Sequence, residues 1–464
     1  MRKNDSLIAN LDWPLFIAFM LMLAMGFATV YSVAFEEAHS MIFDPETKYG
    51  KQFMWLGISL FLGLMVFLID SDIYRKFAVP IYLATIVLLI IVLFMPAING
   101  AHAWIGIGSM GIQPAEFAKI ASALLLSKYV SNLTLKQYNT NTVLISVSIL
   151  LLPMALILKQ PDAGTFVVFT SFFFVLYREG LTFDPLILSF VNLIPGVRFK
   201  ETWVGTHFIP IAFVAGFISV ITLVLSNVEM HLPFMENGIS GSYGVLITLG
   251  IMGVLAMLFI YFFGNKRDRR KAFVVILSAI LLGGGLSLGV KIGFSSLAEH
   301  QKDRIELVLG LREDPNGEDY NRNRAMAAVG SGGFSGKGYK QASVSSVESN
   351  HVPESETDFI FCPYAEEWGF LGSVFLIGMY LFMIIRVIFI AERQRAVFNR
   401  MYAYCVAMIL FYHFAINIGM DIGLAPVIGI PLPFFSYGGS SMMSFSMMMF
   451  ILLKLDSQRK DVLR

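Results

Sequence analysis

The chain has 464 residues, 56% of them hydrophobic and 14% charged, with a formal net charge of +1 at pH 7. Soluble globular proteins carry roughly a quarter charged residues, so this composition excludes that class and predicts an all-α polytopic membrane protein. The balanced charge gives no footprint for nucleic acid, and the two cysteines, Cys362 and Cys405, lie in apolar runs with no zinc or disulfide spacing.

A bilayer core of about 30 Å asks for about 20 apolar residues per helix. The N-terminal run from Pro14 to Val33 exceeds the roughly 7–15 residues of a signal-peptide core, which predicts an uncleaved first span. In chain order the predicted spans are 14–34, 52–70, 76–95, 114–130, 141–158, 163–177, 207–227, 241–263, 272–290, 359–386, 402–420 and 437–454, about twelve. Segment 181–195 is apolar but interrupted by Asp184, Pro185 and Pro195, and is expected to be an interfacial helix.

Loop charges set the orientation. Arg75 and Lys76, Lys128 and Lys136, Arg178 through Lys200, the run KRDRRK at 266–271, Arg386 through Arg400 and the tail all fall on the side of Arg2 and Lys3. The opposite connections, such as DIGLAPVIGIPLPFFS, hold no Lys or Arg. By the positive-inside rule both termini are cytoplasmic. Residues 291–357, rich in both charges, then form a large extracytoplasmic loop.

That loop carries GSGGFSGKG at 330–338. Ser331 stands where a phosphate loop needs its first Gly, and Gly338 follows Lys337 where Ser or Thr is required. The stretch reads either as a flexible turn or as a backbone and Lys337 site for a diphosphate.

Ionisable residues in apolar surroundings are the other signal, since charge near a bilayer centre costs at least a few kcal/mol. Glu116 and Lys119 are spaced i,i+3 and can pair on one helix face. Asp162, in KQPDAGT, stands at the start of a span, where capping and function are both open readings. Asp358 suits the first turn of a helix capped by Ser355 or Thr357. Capping does not cover Glu366 and Glu367, about 12 Å further along at 1.5 Å per residue. Three acids along one span predict a polar cavity opening outward.

Five stretches, in order, carry a family resemblance: AWIGIGSMGIQPAEFAKIA (103–121), KQPDAGT (159–165), AVGSGGFSGKGY (328–339), ETDFIFCPYAEEWGFLG (356–372) and NIGMDIGLAPVIGIPLPFFSYGGSS (417–441). They resemble the SEDS family (shape, elongation, division and sporulation), most of all its elongation branch. The resemblance implies a ten-helix core, so that 181–264 becomes an insertion with two extra helices within a single domain spanning 1–464. It implies a glycosyltransferase of the bacterial cytoplasmic (inner) membrane that polymerises peptidoglycan glycan strands from lipid II and releases undecaprenyl diphosphate. It also implies a class B penicillin-binding protein partner, other elongation-complex membrane proteins, and a divalent cation, Mg or Mn, with ligands unknown. The family's essential carboxylate falls on Asp358. Glu116, Lys119, Asp162, Arg304, Lys337, Glu366 and Glu367 are the expected substrate-binding residues. Two positions depart from the family pattern: Arg324 stands where Gln is usual, and Glu356 where His is usual. Competing readings are a lipid II flippase, the division-specific paralogue, and a scaffold for a synthase.

Overall fold

The computed structural model describes residues 10–35, 43–44, 46–96, 102–106, 111–133, 139–192, 200–226, 229–230, 239–263, 266–296, 299, 302, 306, 318–345 and 352–459. They fall into two compact units, residues 1–181 with 315–464, and residues 182–314.

The first unit contains α1 (Trp13–Val33), α2 (Lys48–Leu68), α3 (Ser71–Val92), α4 (Pro114–Ser131), α5 (Thr140–Lys159) and α6 (Ala163–Arg178). From the second half of the chain it contains the helix over Glu318–Ser331, then those over Phe361–Arg393, Val397–Asp421 and Gly439–Ser457. Short polar side chains start several of them by accepting orphan backbone N–H groups. Asp12 accepts from the Leu15 N–H at 3.1 Å, Thr47 from Gly50 at 3.1 Å and Asn139 from Thr142 at 3.0 Å. Helix Val397–Asp421 is the hub, packed against α4, α6 and its two long neighbours, and 72% of its apolar window is buried. Outward positions stay apolar, as Phe61, Leu64, Leu83 and Val87 show, which suits lipid rather than water.

One end of this unit is held by charge. Asp12 accepts from Arg386 Nε at 3.0 Å and Nη2 at 2.9 Å, and from Arg393 at 2.7 Å. Asp456 is bound by Arg393, Gln394 and Arg459. Asp358 precedes the opposite end of the Phe361–Arg393 helix.

The second unit holds α7 (Asp184–Val191), α8 (Trp203–Thr206), α9 (Phe208–Ser226), a two-residue antiparallel pairing of β1 (Glu229–Met230) with β2 (Ile239–Ser240), α10 (Gly241–Phe263) and α11 (Lys266–Ser296). Helices α9, α10 and α11 pack on one another. Helices α10 and α11 line an open cavity of about 650 Å³, apolar except for Arg269, which lies over the Tyr261 ring. In chain order the later helices are α12 (Glu318–Ser331), α13 (Phe361–Arg393), α14 (Val397–Asp421) and α15 (Gly439–Ser457).

Every predicted span falls on a helix, and among the described residues seven helices are long and apolar enough to cross a membrane. The protein is an all-helical, multi-pass membrane protein. Segment 181–195 holds the short α7, as expected of an interfacial piece. The segment predicted as an outer loop, 291–357, takes in the end of α11 and the whole of α12.

Candidate active site

Asp358 sits in a run of turns, 353–360, just before α13. Helix α13 begins only at Phe361, and its cap position, Ile360, has no side-chain hydrogen bond. Asp358 is therefore outside the first helical turn, and the expected cap by Ser355 or Thr357 is not made. Thr357 instead donates from both N–H and hydroxyl to the Glu354 carbonyl, at 3.0 and 3.2 Å. The turn is pinned from three sides. Glu356 pairs with Lys48, and its carbonyl accepts from the Tyr437 N–H at 2.9 Å. The Asp358 carbonyl accepts from Asn417 Nδ2 at 2.6 Å. The Asp358 side chain stays partly exposed.

Its surroundings are acidic and tight. Asp162 caps α6 by accepting from the Thr165 N–H at 2.9 Å, and its second oxygen accepts from Gln113 Nε2 at 2.8 Å. Burial first, then the Glu354 carboxylate and then Asp162, push the Asp358 carboxyl from 3.8 up to about 7. Opposite lies Gly429, with φ of 70°; a Cβ there would stand 3.2 Å from Asp358 Oδ2.

Gly429 belongs to the segment 422–438, which leaves α14 and runs inward without regular structure; Ile430 and Leu432 through Ser436 are buried. Non-helical backbone at membrane depth must have its polar groups satisfied by protein. Here side chains do so one by one: Asn417 donates to the Ile430 carbonyl at 2.8 Å and Tyr380 to Pro433 at 2.6 Å. Gln52 takes the Ser436 carbonyl at 3.4 Å and the Gly438 N–H at 3.3 Å. Ring nitrogen Nδ1 of His413 faces the Pro431 carbonyl at 3.0 Å.

That contact fixes the His413 tautomer. A carbonyl can only accept, so Nδ1 carries the proton, and Nε2 accepts from Lys119 Nζ at 2.8 Å. Lys119 also pairs with Glu116 at 2.8 Å and lies over the Phe445 ring. Lys119 is 0% and Glu116 3% exposed, so the pair predicted from their i,i+3 spacing is made and sealed inside the bundle.

Glu366 and Glu367 line no open cavity. Glu366, wholly buried, accepts from Lys337 Nζ at 2.6 Å and from the N–H groups of Ser343, Val344 and Ser345 at 2.9 to 3.0 Å. Glu367 accepts from the Ser32 hydroxyl and from the Lys340 N–H. Helix α13 breaks between these acids and the membrane rod, at Gly369 with φ of 64°. Segment 333–338 fills the break: Lys337 and Gly338 N–H donate to the Glu366 and Glu367 carbonyls, and Phe370 and Leu371 N–H donate to the Gly333 and Phe334 carbonyls. Lys337 is thereby tied to Glu366, and Arg304 lies outside the described residues.

The profile of the FtsW/RodA/SpoVE family, described as "Cell cycle protein", matches residues 12–219 and 245–461. The chain belongs to this family. It is 29% identical to the peptidoglycan glycosyltransferase RodA of Treponema pallidum (strain Nichols), over 97% of this chain and 99% of that protein. It is 26% identical to the peptidoglycan glycosyltransferase MrdB of Escherichia coli (strain K12), over 97% and 95%. A solved chain described under "Structural coordination of polymerization and crosslinking by a peptidoglycan synthase complex" matches with a TM-score of 0.62 at 22% identity, covering 97% of this chain and 98% of that one. RodA of Thermus thermophilus matches with a TM-score of 0.54 at 20% identity, covering 97% of each chain. These two likenesses carry the fold.

Within the family frame, three residues of α14 were not singled out from sequence: His413, Asn417 and Asp421, spaced four apart on one helix face and all buried. The signal was there, since polar residues at i, i+4 and i+8 on an otherwise apolar span mark a polar stripe.

Proposed function

We infer that this chain is a peptidoglycan glycosyltransferase that polymerises glycan strands from lipid II for cell elongation, with Asp358 as the general base. Asp358 carries the reading: a carboxylate partly open to solvent, with a pKa near the working pH, is matched to taking a proton from an attacking hydroxyl. In the reaction, a sugar hydroxyl oxygen bonds to the anomeric carbon of the lipid-linked donor and gives its proton to Asp358. The bond from that carbon to the diphosphate oxygen breaks, and undecaprenyl diphosphate leaves with the electron pair. Attack opposite the leaving group turns an α-linked diphosphate into a β-linked glycan.

Asp162 acts beside Asp358, its charge raising the pKa of the base. Glu116, Lys119, Lys337, Glu366 and Glu367 act as structural supports, because each is held in protein contacts. Among the described residues no three His, Cys, Asp or Glu side chains are grouped to hold a metal ion. The described residues thus offer no protein cage for the divalent cation that the resemblance implies. A cation of the Mg²⁺ kind binds through one or two carboxylates and substrate phosphates; held chiefly by the diphosphate, it would supply neutralising charge to the leaving group.

The likeness to a synthase-complex chain supports a class B penicillin-binding protein as partner, and the basic loops support cytoplasmic termini in the inner membrane of about twelve spans, with Asp358 outside. We keep 181–264 as an addition to a ten-helix core; α9 and α10 of that segment share a compact unit with α7, α8 and α11.

The test uses purified protein with fluorescent lipid II, in detergent and in liposomes. We expect glycan polymer, its amount raised by the cognate penicillin-binding protein, and a fall of about 10²–10⁴-fold in Asp358→Asn. Movement of lipid II across liposomes with no polymer, or full activity in Asp358→Asn, overturns the reading.

A further inference from the structure

The Asn417 carboxamide links the Asp358 turn to the Gly429–Ile430 segment. Its single Nδ2 donates to the Asp358 carbonyl at 2.6 Å and to the Ile430 carbonyl at 2.8 Å, so both amide hydrogens are used. The first acceptor is the backbone of the base itself. The second follows Gly429, whose missing Cβ leaves room for Asp358 Oδ2. Asn417 is 0% exposed and stands on α14, the most enclosed of the candidate spans. Its Oδ1 is buried with no hydrogen-bond partner among the described residues, so the two donated bonds set the orientation of the amide. Neither joined segment is helical at that point, so neither holds its own spacing.

We propose that Asn417 is the positioning residue of the site, fixing the gap between the Asp358 turn and the Gly429–Ile430 segment in which the reacting groups meet. This rests on the function inferred above. Misplacing a catalytic group by about 1 Å costs on the order of 10²-fold in rate. A purely structural amide would show its loss in the amount of folded protein instead. The acceptors need donors, which makes the isosteric Asn417→Asp informative. It sets a carboxylate against two carbonyls and adds a negative charge to the acids already facing Asp358, namely Glu354 in its own turn, Asp162 at α6 and Asp421 on α14.

The experiment measures steady-state polymerisation per folded molecule, with pH profiles, for wild type, Asn417→Ala, Asn417→Ser and Asn417→Asp in detergent. Expected are a fall of about 100-fold in kcat for Asn417→Ala with KM within about threefold, and partial recovery in Asn417→Ser, whose hydroxyl serves one carbonyl at a time. In Asn417→Asp the acid limb of the profile moves to higher pH. Should Asn417→Ala fail to fold, Asn417→Ser against wild type carries the same comparison. Unchanged kcat per folded molecule, or a loss expressed wholly in KM, overturns the proposal. Absence of polymer from wild type would instead overturn the function itself.

Discussion

Removing the Glu354 charge should make the enzyme faster in acid. Glu354 is exposed, in the same turn as Asp358, and is the second cause, after burial, of the raised Asp358 carboxyl. A base with a pKa of about 7 is only about one-tenth ionised at pH 6, so wild-type kcat/KM should climb steeply through pH 6–7 and level off above 8. An unshifted carboxyl at 3.8 would give a flat profile over that range. Like charges about 4 Å apart under water-like screening repel by on the order of 1 kcal/mol. At 1.36 kcal/mol per unit, Glu354→Gln should lower the limb by roughly 0.7 unit. The ionised fraction at pH 6 then rises about three- to fivefold, while rates at pH 8 stay equal. A gain confined to low pH cannot come from damage to the fold. The assay is single-turnover polymer formation from labelled lipid II between pH 5.5 and 8.5. A flat wild-type profile, or a limb that stays put or moves up in Glu354→Gln, refutes the reasoning. Stability should run in the opposite sense. The folded chain holds the Asp358 proton more tightly than the unfolded one, so this contribution is full below about 3.8 and is lost as pH rises through about 7.

Glu366→Gln, which sets an uncharged amide among donors arranged for a carboxylate, should destabilise by about 3 kcal/mol or more, read as a lower Tm in detergent and faster proteolysis within 333–345. Unaltered Tm would show that the Lys337 and Ser343–Ser345 contacts do not anchor the loop. Gly429→Ala meets a left-handed backbone and crowds Asp358 Oδ2, so kcat should drop about tenfold with only about 1 kcal/mol lost in stability; retained kcat would place the reaction away from Gly429. Lys119→Met leaves Glu116 buried without its cation and should cost about 3–5 kcal/mol. Glu116→Gln with Lys119→Met should recover most of that and keep polymerisation, whereas a folded but inactive double variant would put the pair in the chemistry.

Much of this was legible in the chain itself. Apolar runs of span length located the helices, and the i,i+3 spacing foretold the Glu116–Lys119 pair. His413 stands on a legible polar stripe with Asn417 and Asp421, but its partners, Lys119 and Pro431, come from other segments, which that spacing does not encode. Glu366 and Glu367 were misplaced for a different reason. The sequence sets them on one continuous span facing a cavity, and a lone Gly in an apolar run signals only weaker propensity, not a break after Glu367 that lets another segment cover them. That Gly369 adopts φ of 64° depends on segment 333–338 arriving to use the freed carbonyls. Residues 422–438 read as an outer connection free of Lys and Arg. Their apolar character, IGIPLPFF in place of a polar loop, reflects burial, and the side chains that cap them come from α2, α13 and α14.

The break at Gly369 also bears on how the chain is made. Residues 361–368 leave the ribosome after 333–338, yet their carbonyls at Glu366 and Glu367 are completed only by N–H groups of that earlier segment. The rod from Phe370 to Arg393 can enter the bilayer as an ordinary helix, while the stub ahead of it waits for the preceding loop to fold back. Gly333, Phe334, Lys337, Gly338, Phe370 and Leu371 are thus one cooperative unit. In native-state hydrogen exchange their donor amides, at 337, 338, 370 and 371, should open together, and later than the polar loop sequence around them would suggest.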